Sequence, residues 1–212
     1  MNNKKVIGLG GVARAGKDTF AGILTLKLQQ AGKSVRRVAL AEPLKFQVDE
    51  FLIKNLGITA FTSATEQKTL IRPMLVWYGD AQRKLTNGRY WIDLAKKTID
   101  ETSYDYYIIT DIRYDAYEKD ELYFLKKEVN GVLCHISKYQ TVREDTNSVH
   151  VIEKRFVKPA NDHEEINDPK IKKAADHIVE WPDAGKLDEY ELLLNPTLNE
   201  YVDQFIDKFK LI

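Results

Sequence analysis

The residues best placed to do chemistry stand near the start of the chain. Gly10-Gly11-Val12-Ala13-Arg14-Ala15-Gly16-Lys17-Asp18-Thr19 holds the spacing G-x-x-x-x-G-K from Gly11 to Lys17. Glycines at both ends of such a loop let the backbone turn tightly, with its N–H groups aimed inward around phosphate oxygens. A helix beginning near Lys17 adds the positive end of its dipole. The Lys17 ammonium can then reach the β- and γ-phosphates and offset charge during transfer. Ser or Thr usually follows the lysine and binds magnesium through its hydroxyl, but Asp18 stands there. Its carboxylate can hold Mg²⁺ directly or through water, or Thr19 can help; the residues leave both open. The motif also has its required surroundings. The apolar run Val6-Ile7-Gly8-Leu9 reads as a buried strand, and Phe20, Ile23, Leu24, Leu28 and Ala31 recur at helical spacing before Gly32. The competing reading, a glycine turn whose lysine merely caps a helix, does not account for that context.

Ligands of strand–helix alternating folds sit beyond the carboxyl ends of the strands. Three further segments qualify. In Leu40-Ala41-Glu42-Pro43-Leu44-Lys45, Lys45 can face an anion, against the plainer reading of a solvated first-turn lysine. Arg72-Pro73-Met74-Leu75-Val76-Trp77-Tyr78-Gly79-Asp80-Ala81-Gln82-Arg83, followed by Tyr90-Trp91, offers planar guanidinium forks for phosphate and aromatic faces for a base. A plain amphipathic helix would look the same. In Thr110-Asp111-Ile112-Arg113, an acidic residue closing a strand opposite a phosphate loop suits a magnesium–water ligand or a hydroxyl-orienting carboxylate. Arg113 can pair with Asp111 or hold a phosphate. His135, His150, His163 and His177 are scattered without metal-ligand spacing and read as structural or exposed. Cys134 reads as a small buried apolar residue.

These residues need a scaffold, and the sequence supports one. The chain has 212 residues, enough for one ample domain. With 32 basic and 32 acidic residues it lacks the excess that grips polymeric nucleic acid or an anionic membrane. A single cysteine forms no internal disulfide, Met1 to Lys5 lacks a signal peptide's apolar stretch, and no run approaches a membrane span. The expectation is a soluble cytoplasmic α/β protein. Ser34–Leu40 reads as a second strand, 43–56 as a helix, 65–85 as a helix that Pro73 splits or kinks, and 90–102 as another. Tyr106–Thr110 is the next buried strand, ending at Asp111. A helix over 116–129, a strand over 132–137, a short strand over 177–180 and a final helix follow. That last helix carries the stripe Leu198, Tyr201, Val202, Phe205, Ile206 and Phe209. Residues 143–173 are charged but balanced, seven basic against seven acidic, and read as mobile surface structure. The alternation predicts a mainly parallel sheet covered by helices on both faces.

Taken in order, these segments resemble the deoxynucleoside monophosphate kinase family known from bacteriophages, a branch of the P-loop kinases. Gly16-Lys17-Asp18-Thr19 is similar to that family's loop, in which Asp replaces the common Ser or Thr. Leu40 to Lys45, Arg72 to Arg83 with Tyr78-Gly79-Asp80, Trp91, and Thr110-Asp111-Ile112-Arg113 with Glu118 resemble its later segments. Asp162-His163-Glu164-Glu165 and Ala175-Asp176-His177-Ile178-Val179 are similar to its C-terminal pattern. Asp80-Ala81 stands where the family has Thr and an acidic residue, and Glu42 replaces a small residue or Asp. Both departures lie near the implied acceptor pocket, so the preferred base stays open.

The resemblance implies the P-loop NTPase three-layer fold in a single domain, with acceptor helices over about 43–102 and a charged lid over about 138–173. It implies that ATP and Mg²⁺ bind at Gly11, Ala13, Ala15, Gly16, Lys17, Asp18 and Thr19, with Asp18 and Thr19 at the metal. Arg14, Lys45, Arg72, Trp77, Gly79, Asp80, Arg83, Trp91, Asp111, Arg113 and Glu118 would surround the acceptor nucleotide. Lys17, Arg14, Asp111 and Arg113 would act in transfer of the γ-phosphoryl group, and Arg143 or Lys138 would belong to the lid. The expected setting is the cytoplasm, that of the host if phage-encoded, with small nucleotides as partners and a homodimer left open. A kinase acting on dephospho-coenzyme A or phosphomevalonate, or a nucleotide-dependent switch without an acceptor, remains as an alternative.

Overall fold

A computed structural model describes residues 4–146, 149–185 and 187–212, with backbone alone for 143–146 and 149–152. The elements run β1 (Lys5–Gly10), α1 (Lys17–Gln30), β2 (Val35–Val38), α2 (Glu42–Leu56), α3 (Thr65–Leu85), α4 (Arg89–Glu101) and β3 (Tyr106–Ile112). Then come α5 (Glu121–Tyr123) with a π-turn over Phe124–Glu128, β4 (Val132–Thr146), β5 (Val149–Phe156), α6 (Asp162–Ala174), β6 (His177–Pro182), α7 (Glu189–Leu194) and α8 (Pro196–Phe209).

The sheet is mostly parallel. Its spatial order is β2-β3-β1-β4, with β6 parallel to β4 along Cys134–Tyr139. Beyond Ser137 the chain of β4 runs on and turns back antiparallel as β5, pairing Tyr139 with Phe156. β1 lies between two parallel neighbours, with Gly8 opposite Ile109 on one side and Leu133 on the other. Strands buried on both faces read as unbroken apolar runs, and β3 shows why. Tyr106 and Ile108 join one core with α1 and α8, while Tyr107 and Ile109 join the other with α4 and the π-turn. In the first core Phe20 meets Phe205 edge-on at 5.5 Å between ring centroids. A smaller cluster, Val48, Leu52, Ile58, Ala60 and Ile71, holds α2 against α3.

Four expectations about elements change. The helix expected over 116–129 is reduced to α5 and its π-turn. The Asp120 carboxylate accepts from the backbone N–H groups of Ala116, Tyr117 and Glu121, which fixes the preceding turn in a non-helical path and caps the helix only at Glu121. The strand expected to stop at Ser137 continues to Thr146 as one arm of the hairpin. The charged stretch ends in a regular helix, α6, whose N-cap Asn161 accepts from Glu164 N–H and whose first turn is acidic, as the helix dipole favours. Pro73 does not interrupt α3, which is continuous over Thr65–Leu85. The α8 stripe docks as expected: Leu198, Val202, Phe205 and Ile206 are buried. Cys134 is buried, and burial pushes its thiol pKa up. His135 is buried with Nε2 2.9 Å from Asp168 Oδ1, and His177 is half-buried with its pKa lowered by burial. The side chains of His150 and Arg143 are outside what the structure describes. Among the described residues no helix is long and apolar enough to cross a membrane.

Candidate active site

The loop between β1 and α1 is packed at both of its glycine ends. Gly11 (φ 128°) and Gly16 (φ 92°) adopt left-handed backbone angles that L side chains rarely take. A Cβ on Gly11 would overlap the Ile136 carbonyl oxygen, and one on Gly16 would strike the Trp181 ring. Trp181, fully buried on β6, also donates from Nε1 to the Ala15 carbonyl at 2.9 Å. Arg14 stands exposed at the loop apex with φ 66°.

Lys17 is the first residue of α1, and its side chain is drawn back over the loop. Nζ donates to the carbonyls of Gly11 at 2.7 Å and Val12 at 2.8 Å. Burial pulls its pKa down to about 8; Arg113 adds to that, while Glu164, Asp111 and Asp18 oppose it. Glu164 presses its carboxylate against the loop, accepting from Ala13 N–H with both oxygens at 3.1 Å and from Ala160 N–H at 2.9 Å. The Ala13 N–H is thereby already paired with a carboxylate. Asp18 is exposed and paired with Arg37 at 2.8 Å; Thr19 is half-buried. Among the described residues no three His, Cys, Asp or Glu side chains form a metal cage. Asp18 and Thr19 still present hard oxygen donors at the start of α1, which fits Mg²⁺ taking its other ligands from phosphate and water.

Beside the loop opens a cleft of about 220 Å³ walled by the C-terminal end of β3, the start of α2, α3 and α4. Lys45, Gly79, Asp80, Arg83, Trp91, Asp111 and Arg113 all line it. Asp111 lies inside β3 rather than after it, and clasps the start of α2. Its Oδ1 accepts from Leu40 N–H at 2.8 Å and its Oδ2 from Ala41 N–H at 3.1 Å. Arg113 is half-exposed, and its ionic neighbour is Glu164 at 3.7 Å rather than Asp111. Trp91 is buried, stacks edge-on with Tyr78 and Tyr90, and donates to the Gly79 carbonyl at 3.2 Å. Lys45 is half-buried, its ammonium 5.6 Å from the centre of the Phe61 ring.

Four expected acceptor residues do not line this cleft: Arg14 at the loop apex, Arg72, Trp77 and Glu118. Arg72 and Glu118 are exposed, and Trp77 is 68% exposed on the outer side of α3. Arg83 reaches the wall but its charge is already engaged. It forks onto Asp120 at 2.8 and 2.9 Å, reaches Glu121 at 3.1 Å, and lies 3.9 Å from the Tyr114 ring centre. Burial pushes the Glu121 carboxyl pKa up, against the pull of Arg83 and the N–H groups of Arg113 and Tyr114. This buried triad builds the wall, with both terminal guanidinium nitrogens of Arg83 already paired. Lys138, expected in a lid, sits 3.4 Å from Asp183.

Glu164, Trp181, Tyr114 and Glu121 are the residues that motif reading did not single out as site groups. For Glu164 a usable signal existed, since Asn161 followed by a cluster of acids marks a helix start. Nothing local marks Trp181, whose contact with Ala15 spans 166 positions. No protein-family model matches this chain, and comparison with curated proteins likewise finds no match.

Proposed function

We propose that this protein is an ATP-dependent kinase of deoxynucleoside monophosphates, moving the γ-phosphoryl group of ATP onto the acceptor's 5′-phosphate to give the diphosphate. One observation carries the reading: a glycine loop with a buried lysine shares Arg113 and Asp111 with an aromatic-sided cleft large enough for a nucleobase. The choice of acceptor class rests on the resemblance of the motifs. An acceptor that is already an anionic phosphate needs no strong base, so alignment and charge neutralisation are the work required.

Lys17 Nζ exchanges its two loop carbonyls for phosphate oxygens, regaining a full anionic partner in place of neutral acceptors. Asp18 and Thr19 would hold Mg²⁺, which when bound supplies neutralisation of phosphate charge. Arg113, loosely held by Glu164, is free to turn toward a phosphate. Asp111 keeps α2 and its Lys45 fixed beside the cleft. The apolar walls formed by Leu44, Leu75 and Trp91 exclude water that would otherwise take the phosphoryl group. The test is to incubate the protein with ATP, Mg²⁺ and each of the four deoxynucleoside monophosphates. Diphosphate and ADP should appear in equal amounts; ATP hydrolysis with no phosphorylated acceptor would overturn the reading.

A further inference from the structure

The cleft wall carries three carboxylates in different states of engagement. Asp111 has one backbone N–H on each oxygen. Glu121 has Arg83 on Oε1, and the N–H groups of Arg113 and Tyr114 on Oε2. Asp80 differs. It is part-buried on α3, accepts no hydrogen bond from any described residue, and has His163 as its ionic neighbour, with Nε2 3.5 Å from Oδ2. The Arg83 guanidinium, three residues further along α3, is engaged by Asp120 and Glu121. Trp91 N–H is likewise consumed by Gly79. Asp80 is therefore the acceptor of the wall with capacity to spare, beside an apolar slot of Leu44, Leu75 and Trp91.

We propose that Asp80 selects the acceptor's base and that the base is guanine; the inference rests on the kinase reading above. With the 5′-phosphate toward Arg113 and Lys17, the base enters the slot and presents its edge to Asp80. A carboxylate offers two acceptor oxygens and no donor. Guanine places N1–H and an amino N–H side by side and so satisfies both. Adenine and cytosine each set a ring-nitrogen acceptor beside their amino group. Thymine flanks its single N3–H with two carbonyls. Each of these three turns lone pairs toward the carboxylate, and a site built around a charged hydrogen bond rejects ligands that cannot complete it.

The full chain is titrated calorimetrically with dGMP, dAMP, dCMP, dTMP and, separately, ATP, with wild type and Asp80→Asn side by side and thermal melting as a check on folding. The wild type should bind dGMP at least tenfold more tightly than any other monophosphate. Asp80→Asn should shrink that preference below about threefold while ATP affinity stays within about twofold. A different preferred base in the wild type, or an unchanged preference in a folded Asp80→Asn, overturns the assignment. Should Asp80→Asn fail to fold, the wild-type order decides alone. ATP binding with no monophosphate bound at all overturns the acceptor reading itself, and the guanine assignment with it.

Discussion

The two halves of the site are made in different ways. The glycine loop is one contiguous stretch, Gly11 to Thr19, in which backbone geometry does most of the work. The cleft beside it is gathered from β3, α2, α3 and α4, and side chains do the work. In the loop, the positions of greatest importance hold glycine because a Cβ would collide with Ile136 or Trp181. In the cleft, the same residue type has opposite fates. Arg83 is buried in an ion network, whereas Arg113 is half-exposed with one loose neighbour. A charged residue in a site is thus available to a ligand only where the fold has not already answered its charge.

The sharpest way to break this contrast is Arg83→Ala. It leaves Asp120, fully buried, and Glu121, 3% exposed, without their cation. Losing one partner of a buried pair costs about 3–5 kcal/mol, so the variant should melt far below wild type or fail to fold. Denaturant unfolding measures this. A loss under 1 kcal/mol would mean the triad does not hold the wall together.

Lys17→Met should act on chemistry and leave the fold intact. Removing a preorganised cation from developing charge costs about 10²–10³ in turnover. Stability should not fall. With its folded pKa held down at about 8, Lys17 binds fewer protons folded than unfolded between about pH 8 and its ordinary 10.5, so wild-type stability rises with pH across that window. Below it the buried charge is a cost, which methionine removes. Turnover within threefold of wild type would contradict the role given to the ammonium.

The uneven legibility of the two halves follows from the same contrast. The loop could be read because its requirements are local: two glycines, a lysine, a strand before and an amphipathic helix after. β1, β3, α1, α2, α3 and α8 could be read because apolar periodicity and caps fix them within their own residues. The 116–129 stretch misled, since Asp120 uses its carboxylate on three backbone N–H groups, a contest between cap and helix that composition does not reveal. The residues expected around an acceptor divide between the cleft wall and the outer surface, because helical spacing shows that Arg72, Trp77 and Arg83 share a helix without showing which face meets the cleft. Trp181 and Glu164 come from strands and helices far along the chain, and only the sheet order brings them to the loop.

Arg113→Ala probes the side of the cleft where charge is free. A lost charged hydrogen bond costs about 1.5–3 kcal/mol, and with the Arg113 side chain 45% exposed the low end applies. The acceptor's kcat/KM should fall about tenfold, with little change in melting temperature. The same substitution carries a second signature. Lys17 is charged below about pH 8 in the free protein, so ATP affinity should fall by up to tenfold per unit as pH rises beyond that value. Arg113 helps hold the Lys17 pKa down, so in Arg113→Ala the falling limb should move to higher pH. A limb that stays in place would show that the two cations do not sense each other.

Arg72→Ala is expected to do least, and that makes it the cleanest test of where the cleft lies. Arg72 and Arg83 sit on one helix, both planar donors, and the sequence gives no reason to rank them. The fold does. Arg72 follows buried Ile71 and faces away into solvent, outside the cleft wall. An exposed arginine on a helix contributes within about 0.5 kcal/mol to stability. The acceptor's KM and turnover should therefore remain within about twofold of wild type, where Arg113→Ala loses about tenfold. A tenfold rise in acceptor KM for Arg72→Ala would place the phosphate on the outer side of α3 and move the acceptor out of the cleft altogether.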